Sequence, residues 1–321
     1  LFGLDQYAGE QENVAEQLVL MVFSLVGALL LTNWSNLLML FLGVEILSIP
    51  LYILAGAKKH SLRSSEASFK YFLMGSFASA FLLMGIALIY GMTASFDVNV
   101  IAARMGATGS TDILFVLGCF FVAVGLGFKV AAAPLHFWSP DVYEGAPTIV
   151  TAFMATVVKT AAFAALYRFV HMTALPAALV NTLLAMTVLT LFVGNVAALR
   201  QSHFKRLMAY SSIAHSGFLL LAVLSGGANA QVVLLYYLTT YAIGTVGLFV
   251  LMVLAKRAAN GDEHIRIFRG LFRARPWLAV MLLFLLLSMA GIPLTSGFVA
   301  KYQVFMLPMG ADHLRTDLFT V

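Results

Sequence analysis

Four ionisable side chains, Glu45, Lys129, Lys159 and Lys301, each fall inside an apolar stretch long enough to cross a bilayer. A charge at the centre of a membrane helix costs roughly 2.5–3.5 kcal/mol on insertion scales, so each must face a wet or paired interior, where its default role is functional. Lysine and carboxylate together point to proton transfer. Glu45 stands in Phe41-Leu42-Gly43-Val44-Glu45-Ile46-Leu47-Ser48-Ile49-Pro50, about nine residues into its span and roughly 12 Å along a helix, too deep for the interface. Dehydration favours its neutral acid and a lysine ammonium beside it favours the carboxylate, so its charge depends on a partner. A carboxyl that merely pairs helices is the alternative.

Lys129 follows Gly125-Leu126-Gly127-Phe128 and precedes Pro134-Leu135-His136-Phe137-Trp138-Ser139-Pro140-Asp141-Val142-Tyr143-Glu144-Gly145-Ala146-Pro147. Moving Glu45 or its charge would load or unload this lysine. A shift of about 3 pKa units is about 4 kcal/mol, and carrying one charge against about 150–200 mV costs roughly 3.5–4.5 kcal/mol, so such a pair can drive a pump stroke without a cofactor. Lys159 lies mid-span in Thr156-Val157-Val158-Lys159-Thr160, and Lys301 in Ser296-Gly297-Phe298-Val299-Ala300-Lys301-Tyr302. Either alone could face another subunit; with Glu45 they make a relay the better account. His215 is a further candidate, able to pass a proton or simply to bond a neighbouring helix. Tyr236, Tyr237, Thr239, Thr240, Tyr241 and Thr245 put hydroxyls on one later span, for ordering water or for packing.

The elements that position these groups follow from hydropathy. The chain is 61% hydrophobic and 10% charged with a mean hydropathy of +0.95, which excludes a soluble globular protein. Apolar runs at about 17–33, 37–57, 67–92, 111–138, 147–170, 175–199, 206–225, 230–256 and 276–309 predict an all-α polytopic membrane protein of about nine helices. Cys119 is the one cysteine, a packing residue within a span, so there is no disulfide framework and no thiolate site for zinc or iron–sulfur. No phosphate loop or dinucleotide fingerprint is present, and neither a cofactor nor a metal site is expected in the chain. It opens on Leu1 without an initiator Met and stops at Phe319-Thr320-Val321, and it reads as a fragment.

The net charge of +5 does not point to nucleic acid, because the basic residues sort by side of the membrane. With the loop at 58–66 cytoplasmic, the inside carries Lys58, Lys59, Arg63, Arg200, Lys205, Arg206, Lys256, Arg257, Arg266, Arg269, Arg273 and Arg275; the outside carries Arg104, Arg168 and Arg315. Lys70 near the inner interface can snorkel. The segment 262–273, with basic and apolar residues at helical spacing, is expected on the cytoplasmic interface.

Two spans carry breakers. Pro134 follows Lys129, and Gly291-Ile292-Pro293-Leu294-Thr295-Ser296-Gly297 precedes Lys301. Each proline frees the carbonyl four residues back, Val130 and Met289, so both helices should be interrupted inside the membrane, where the backbone must line a polar cavity. The Lys129 helix is fourth from the first span and the Lys301 helix fourth from the span at 175–199. A repeat of five helices reverses direction, which predicts inverted-topology repeats. The expected division is a cytoplasmic-side segment 1–16, a first five-helix repeat 17–170, and a second repeat 171–321 cut before its fifth helix. Overlaying the repeats puts His215 near the level of Glu45.

The run from Gly125 to Pro147, the run Leu207-Met208-Ala209-Tyr210-Ser211-Ser212-Ile213-Ala214-His215-Ser216-Gly217, the run Phe268 to Phe272 and the run Ala290 to Phe298 resemble the antiporter-like membrane subunits of the proton-pumping NADH:quinone oxidoreductase, respiratory complex I. Asp141-Val142-Tyr143-Glu144-Gly145-Ala146-Pro147, with lysine rather than glutamate at 301, is most similar to one branch of that family. The resemblance implies a proton translocase subunit with Glu45 and Lys129 as coupling pair, Lys159 as central relay and Lys301 nearest the outer exit. It implies a full chain of about fourteen helices, other membrane subunits of the complex and the lipid bilayer as partners, and FMN, iron–sulfur clusters, NADH and quinone carried by other subunits. A bacterial inner membrane is the expected location, ahead of the mitochondrial one. Sodium/proton antiporter and membrane-bound hydrogenase subunits share the scaffold and are the rival reading. Sodium sites want several hard oxygen ligands, whereas this interior offers one carboxylate against three lysines, which favours protons.

Overall fold

The computed structural model describes residues 14–108, 112–172, 175–226, 229–258 and 261–310. Segment 1–13, Arg315 and the run 319–321 lie outside them. The described residues are helical, with no strand beyond two isolated bridges. In chain order the helices are α1 (Val14–Thr32), α2 (Leu37–Ala55), α3 (Leu62–Thr93), α4 (Val98–Thr108), α5 (Ile113–Lys129), α6 (Trp138–Gly145) and α7 (Thr148–Phe153). A π turn (Met154–Val158) leads directly into α8 (Lys159–Met172), followed by α9 (Ala177–Ala198), α10 (Phe204–Ser225), α11 (Ala230–Ala258), α12 (Leu271–Ala274), α13 (Pro276–Ala290) and α14 (Ser296–Gly310).

Seven of these runs, with α7 to α8 counted as one, are long and apolar enough to cross a membrane; α5 and α13 are shorter apolar helices. The shortfall in α5 and α13 is where the breakers stand. The expected span 276–309 is two helices, α13 and α14, with a turn at 291–295 between them, whereas 111–138 is the one helix α5 followed by a turn at 130–137 that leads into α6. Each break holds a non-glycine residue in the left-handed region, Ala131 (φ 55°) and Leu294 (φ 75°), a conformation that persists only when the surroundings over-determine it. The first span starts at Val14 rather than 17, and α4 was not foreseen, because an eleven-residue helix with modest apolar content leaves no membrane-length signal.

Helix ends are set locally. Asn36 accepts from Leu38 N at 2.8 Å and Asp112 from Leu114 N at 2.8 Å, while Pro276 opens α13 at a position where its missing N–H costs nothing. Two loop pairings tie opposite ends of the bundle. At one end Leu37 N bonds Phe96 O (2.9 Å) and Val98 N bonds Ser35 O (3.1 Å); at the other, Phe204 N bonds Glu263 O (3.0 Å) and Ile265 N bonds Ser202 O (2.9 Å). Arg168 joins the first end through Trp34 O. The second end gathers Lys205, Lys256 and Glu263. The 262–273 segment is not one continuous helix. It is a 3-10 turn (Ile265–Phe268) and the short α12, split at Gly270 (φ 73°).

Candidate functional site: a buried lysine and hydroxyl array

α10 is the spine of the site, because residues one turn apart along it meet both broken helices and the Lys159 helix. The Ser216 hydroxyl donates to Val130 O at 2.6 Å, satisfying the carbonyl that Pro134 releases. In the second break the released Met289 carbonyl accepts from Lys301 Nζ at 3.0 Å, as does Ala290 O. One break is closed by a neutral hydroxyl and the other by the cation itself. Gly291 is required twice, for φ 79° and because a Cβ there would lie 2.8 Å from Lys301 Cδ. At Gly297 a Cβ would sit 1.8 Å from Ser288 O.

Lys129 is 4% exposed, its Nζ donating to Ser48 Oγ at 2.6 Å and lying 5.6 Å from the Tyr52 ring centre and 5.7 Å from that of Tyr71. Tyr71 stacks on Trp138 at 4.7 Å, and Trp138 Nε1 donates to Phe128 O at 3.0 Å, so an aromatic wall flanks this lysine. Glu45 is half-buried and accepts from the Ser79 hydroxyl. Among the described residues no ion pair joins Glu45 to Lys129. Ser48, three residues after Glu45 on the same helix face, is the group that touches the lysine.

Lys159 is also 4% exposed, and its Nζ donates to both the carbonyl and the hydroxyl of Ser212, the latter at 2.6 Å. Tyr241 donates to the same Ser212 oxygen at 2.9 Å and its ring centre lies 5.0 Å from Lys159 Nζ. The π turn ends at Val158, so Lys159 is aimed by a widened turn of the kind that recurs at functional sites. His215 is 7% exposed, pairs with Tyr237 Oη at 2.8 Å through Nδ1, and stands 5.0 Å from the Tyr241 ring. Lys301 is half-buried, less enclosed than expected, with Nζ 5.0 Å over Phe218. α10 thus brings Lys159, His215 and Lys301 around one helix, with Lys129 at the end of α5 and Glu45 on α2 in a separate group beside α3.

Of the hydroxyl residues expected on α11, Tyr237, Tyr241 and Thr245 are buried, the two tyrosines bonding His215 and Ser212 of α10, whereas Tyr236 and Thr239 are exposed. The spacing i, i+4, i+8 was the signal that separates them. Ser48, Ser212 and Ser216 carried no signal, since a serine in an apolar helix is usually packing. Lys205, counted with the cytoplasmic basic residues, is 1% exposed: its Nζ reaches Ala146 O (2.8 Å) and Glu263 Oε1 (3.1 Å). Burial alone would raise the Glu263 carboxyl, but Lys205 and Lys256 outweigh it and hold its pKa below the usual glutamate range.

Comparison with known proteins identifies the scaffold. The family described as NADH:quinone oxidoreductase/Mrp antiporter, transmembrane, matches residues 35–321. NADH-quinone oxidoreductase subunit N of Cytophaga hutchinsonii is 44% identical over 318 residues, covering 98% of this chain and 68% of that protein. A chain of respiratory complex I from Thermus thermophilus with bound aureothin superposes with a TM-score of 0.78 at 39% identity, covering 94% of this chain and 66% of that one. A chain of the membrane-bound sulfane sulfur reductase, an archaeal respiratory membrane complex, gives a TM-score of 0.83 at 27% identity, covering 93% and 60%. The chain therefore spans about two thirds of the length of its relatives. With its lysine-bearing broken helices and this likeness over nearly its whole length, it belongs to the transmembrane family of NADH:quinone oxidoreductase and Mrp antiporter subunits, on the subunit N branch.

Proposed function

We propose that this chain is a proton-translocating membrane subunit of an NADH:quinone oxidoreductase, moving protons through Glu45, Lys129, Lys159, His215 and Lys301 while electrons pass through other subunits. The observation that carries the reading is the ligation of the lysines. Lys129 and Lys159 are buried in a membrane protein against hydroxyls, carbonyls and aromatic faces, with no carboxylate in contact. Neutral oxygens and π faces accept a charged lysine yet do not lock it, as a direct carboxylate pair would, so each site can hold or surrender a proton at modest cost. Glu45 acts on Lys129 through space and through Ser48, so a change in the Glu45 charge alters the balance at Lys129 without breaking an ion pair.

The two loop pairings at opposite ends, and the two broken helices running in opposite directions, support inverted repeats, with 17–170 and 171–321 as the units. FMN, iron–sulfur clusters, NADH and quinone are assigned to partner subunits, and the location to a bacterial inner membrane. That the same family includes Mrp antiporter subunits supports the rival in which this scaffold serves a sodium/proton antiporter; a membrane-bound hydrogenase subunit is the other alternative.

The test is Lys129→Ala in the assembled complex, assayed for NADH-driven pumping in inverted vesicles. Pumping should fall at least tenfold with assembly intact, and Lys129→Arg should fail as well, because a guanidinium keeps its proton. Wild-type pumping in either variant removes Lys129 from the path. Pumping should persist without sodium and collapse with a protonophore; a requirement for millimolar sodium that survives the protonophore selects the antiporter reading.

A further inference from the structure

Lys205 stands in the first turn of α10, is 1% exposed, and turns its ammonium toward three oxygens: Ala146 O at 2.8 Å, Glu144 O at 3.4 Å and Glu263 Oε1 at 3.1 Å. The two carbonyls stand at the end of α6, where a helix leaves its last C=O groups without N–H partners, and a cation there both satisfies them and opposes the negative end of the helix dipole. Glu263 supplies the counter-charge and shares it with Lys256 at 2.5 Å. The next residue, Arg206, holds the Asp141 and Glu144 side chains. Arg206 thus grips the body of α6, whereas Lys205 grips the backbone where the chain leaves α6 for α7.

From that point the chain runs through α7 and the π turn to Lys159, and α10 meets it three times in the same order: Lys205 at Ala146, Ser212 at Lys159, and Val223, whose carbonyl lies 2.8 Å from His171 Nε2. The two segments therefore run side by side in one direction. Between the second and third contacts their lengths nearly match, since Lys159 to His171 and Ser212 to Val223 differ by one residue, about 1.5 Å of rise. Between the first and second they do not: at helical rise Ala146 to Lys159 covers about 20 Å and Lys205 to Ser212 about 10 Å. Long side chains on a helix lean toward its N-terminus, so Lys205 reaches back from α10, Lys159 reaches back from α8, and the two together take up the difference. The π turn lies in the same interval. The height at which Lys159 meets Ser212 is thus set by side chains, one of them at the far end of the interval.

We infer that Lys205 is a positioning residue for the Lys159 site: by pinning Ala146 to the start of α10, it sets the register at which α8 presents Lys159 to Ser212. The inference rests on the relay reading of Lys159. Lys205 passes no proton in this role. Its charge makes the anchor firm, because an ammonium shut off from water can leave these oxygens only by standing unpaired.

The test is a double-mutant cycle in the assembled complex. Lys205→Met keeps the length of the side chain and removes its charge, so Lys159 should lose its seat on Ser212 and NADH-driven pumping in inverted vesicles should fall about tenfold, as far as in Ser212→Ala. Adding Ser212→Ala to Lys205→Met should then cost less than about twofold more, because the hydroxyl it removes is already disengaged; unrelated structural roles would multiply the two losses. Wild-type pumping in Lys205→Met, or a Ser212→Ala loss as large in that background as in the parent, overturns the assignment. Should Lys205→Met not assemble, Lys205→Gln, uncharged but still able to donate a hydrogen bond, takes its place under the same two criteria. Lys159→Ala separates the two readings: wild-type pumping there defeats the relay itself, whereas a stalled Lys159→Ala beside a harmless Lys205→Met defeats only the positioning role.

Discussion

Ser212→Ala tests the array at its narrowest point. Two acceptors on one residue hold Lys159 Nζ, the Ser212 carbonyl and hydroxyl, and the variant removes the hydroxyl while leaving the carbonyl and the Tyr241 ring face in place. A hydrogen bond to a charged group contributes about 1.5–3 kcal/mol, and at about 1.4 kcal/mol per factor of ten its loss changes the loading equilibrium of Lys159 by about 10–150-fold. The Tyr241 hydroxyl also loses its acceptor, which adds to the cost of the polar cluster rather than offsetting it. If loading of Lys159 limits turnover, NADH-driven pumping should fall about tenfold or more, and Ser212→Thr, which keeps an oxygen at the same place, should recover most of it. Initial rates of vesicle acidification, normalised to assembled complex, give the comparison. Ser212→Ala pumping within a factor of two of wild type would refute the claim that this hydroxyl is part of the working site.

Glu45→Gln and Glu45→Ala distinguish a charge from a strut: if the carboxylate drives the Lys129 site both should lose pumping alike, whereas a helix-pairing role leaves Glu45→Gln near wild type because an amide still accepts from Ser79. At the end of the bundle that gathers Lys205 and Lys256, Glu263 has a depressed folded-state pKa, so its stabilising contribution is fully present above the ordinary glutamate value of 4.5 and is lost as the pH falls through the lower folded value. The hydrogen-exchange protection factors of residues 261–265 should therefore fall on acidification below about pH 4.5. Glu263→Gln should exchange quickly at neutral pH and show little further change; an unaltered profile in that variant would exclude the Lys205–Glu263–Lys256 contact as the fastening.

What the amino-acid sequence determines by itself is whatever depends on short-range chemistry. Hydropathy sets the spans, and a proline must release the carbonyl four residues before it wherever the helix lies, so Val130 and Met289 could be named as freed groups from Pro134 and Pro293 alone. What fills those vacancies depends on the rotation and depth of other helices. Ser216 lies 86 residues from Val130, and nothing in its surroundings distinguishes it from Ser211 or Ser225 before α10 is docked. The same holds for Ser212 under Lys159, and for Lys205, whose place in a basic loop reads as exposed until Ala146 O and Glu263 close over it. Glu45 and Lys129 were both legible as buried charges, but whether they touch is a matter of a few ångströms of helix packing, and the fold interposes Ser48. Proton affinity and connectivity are properties of that packing, because burial and the few atoms within hydrogen-bond reach decide both, and those atoms come from residues far apart in the chain.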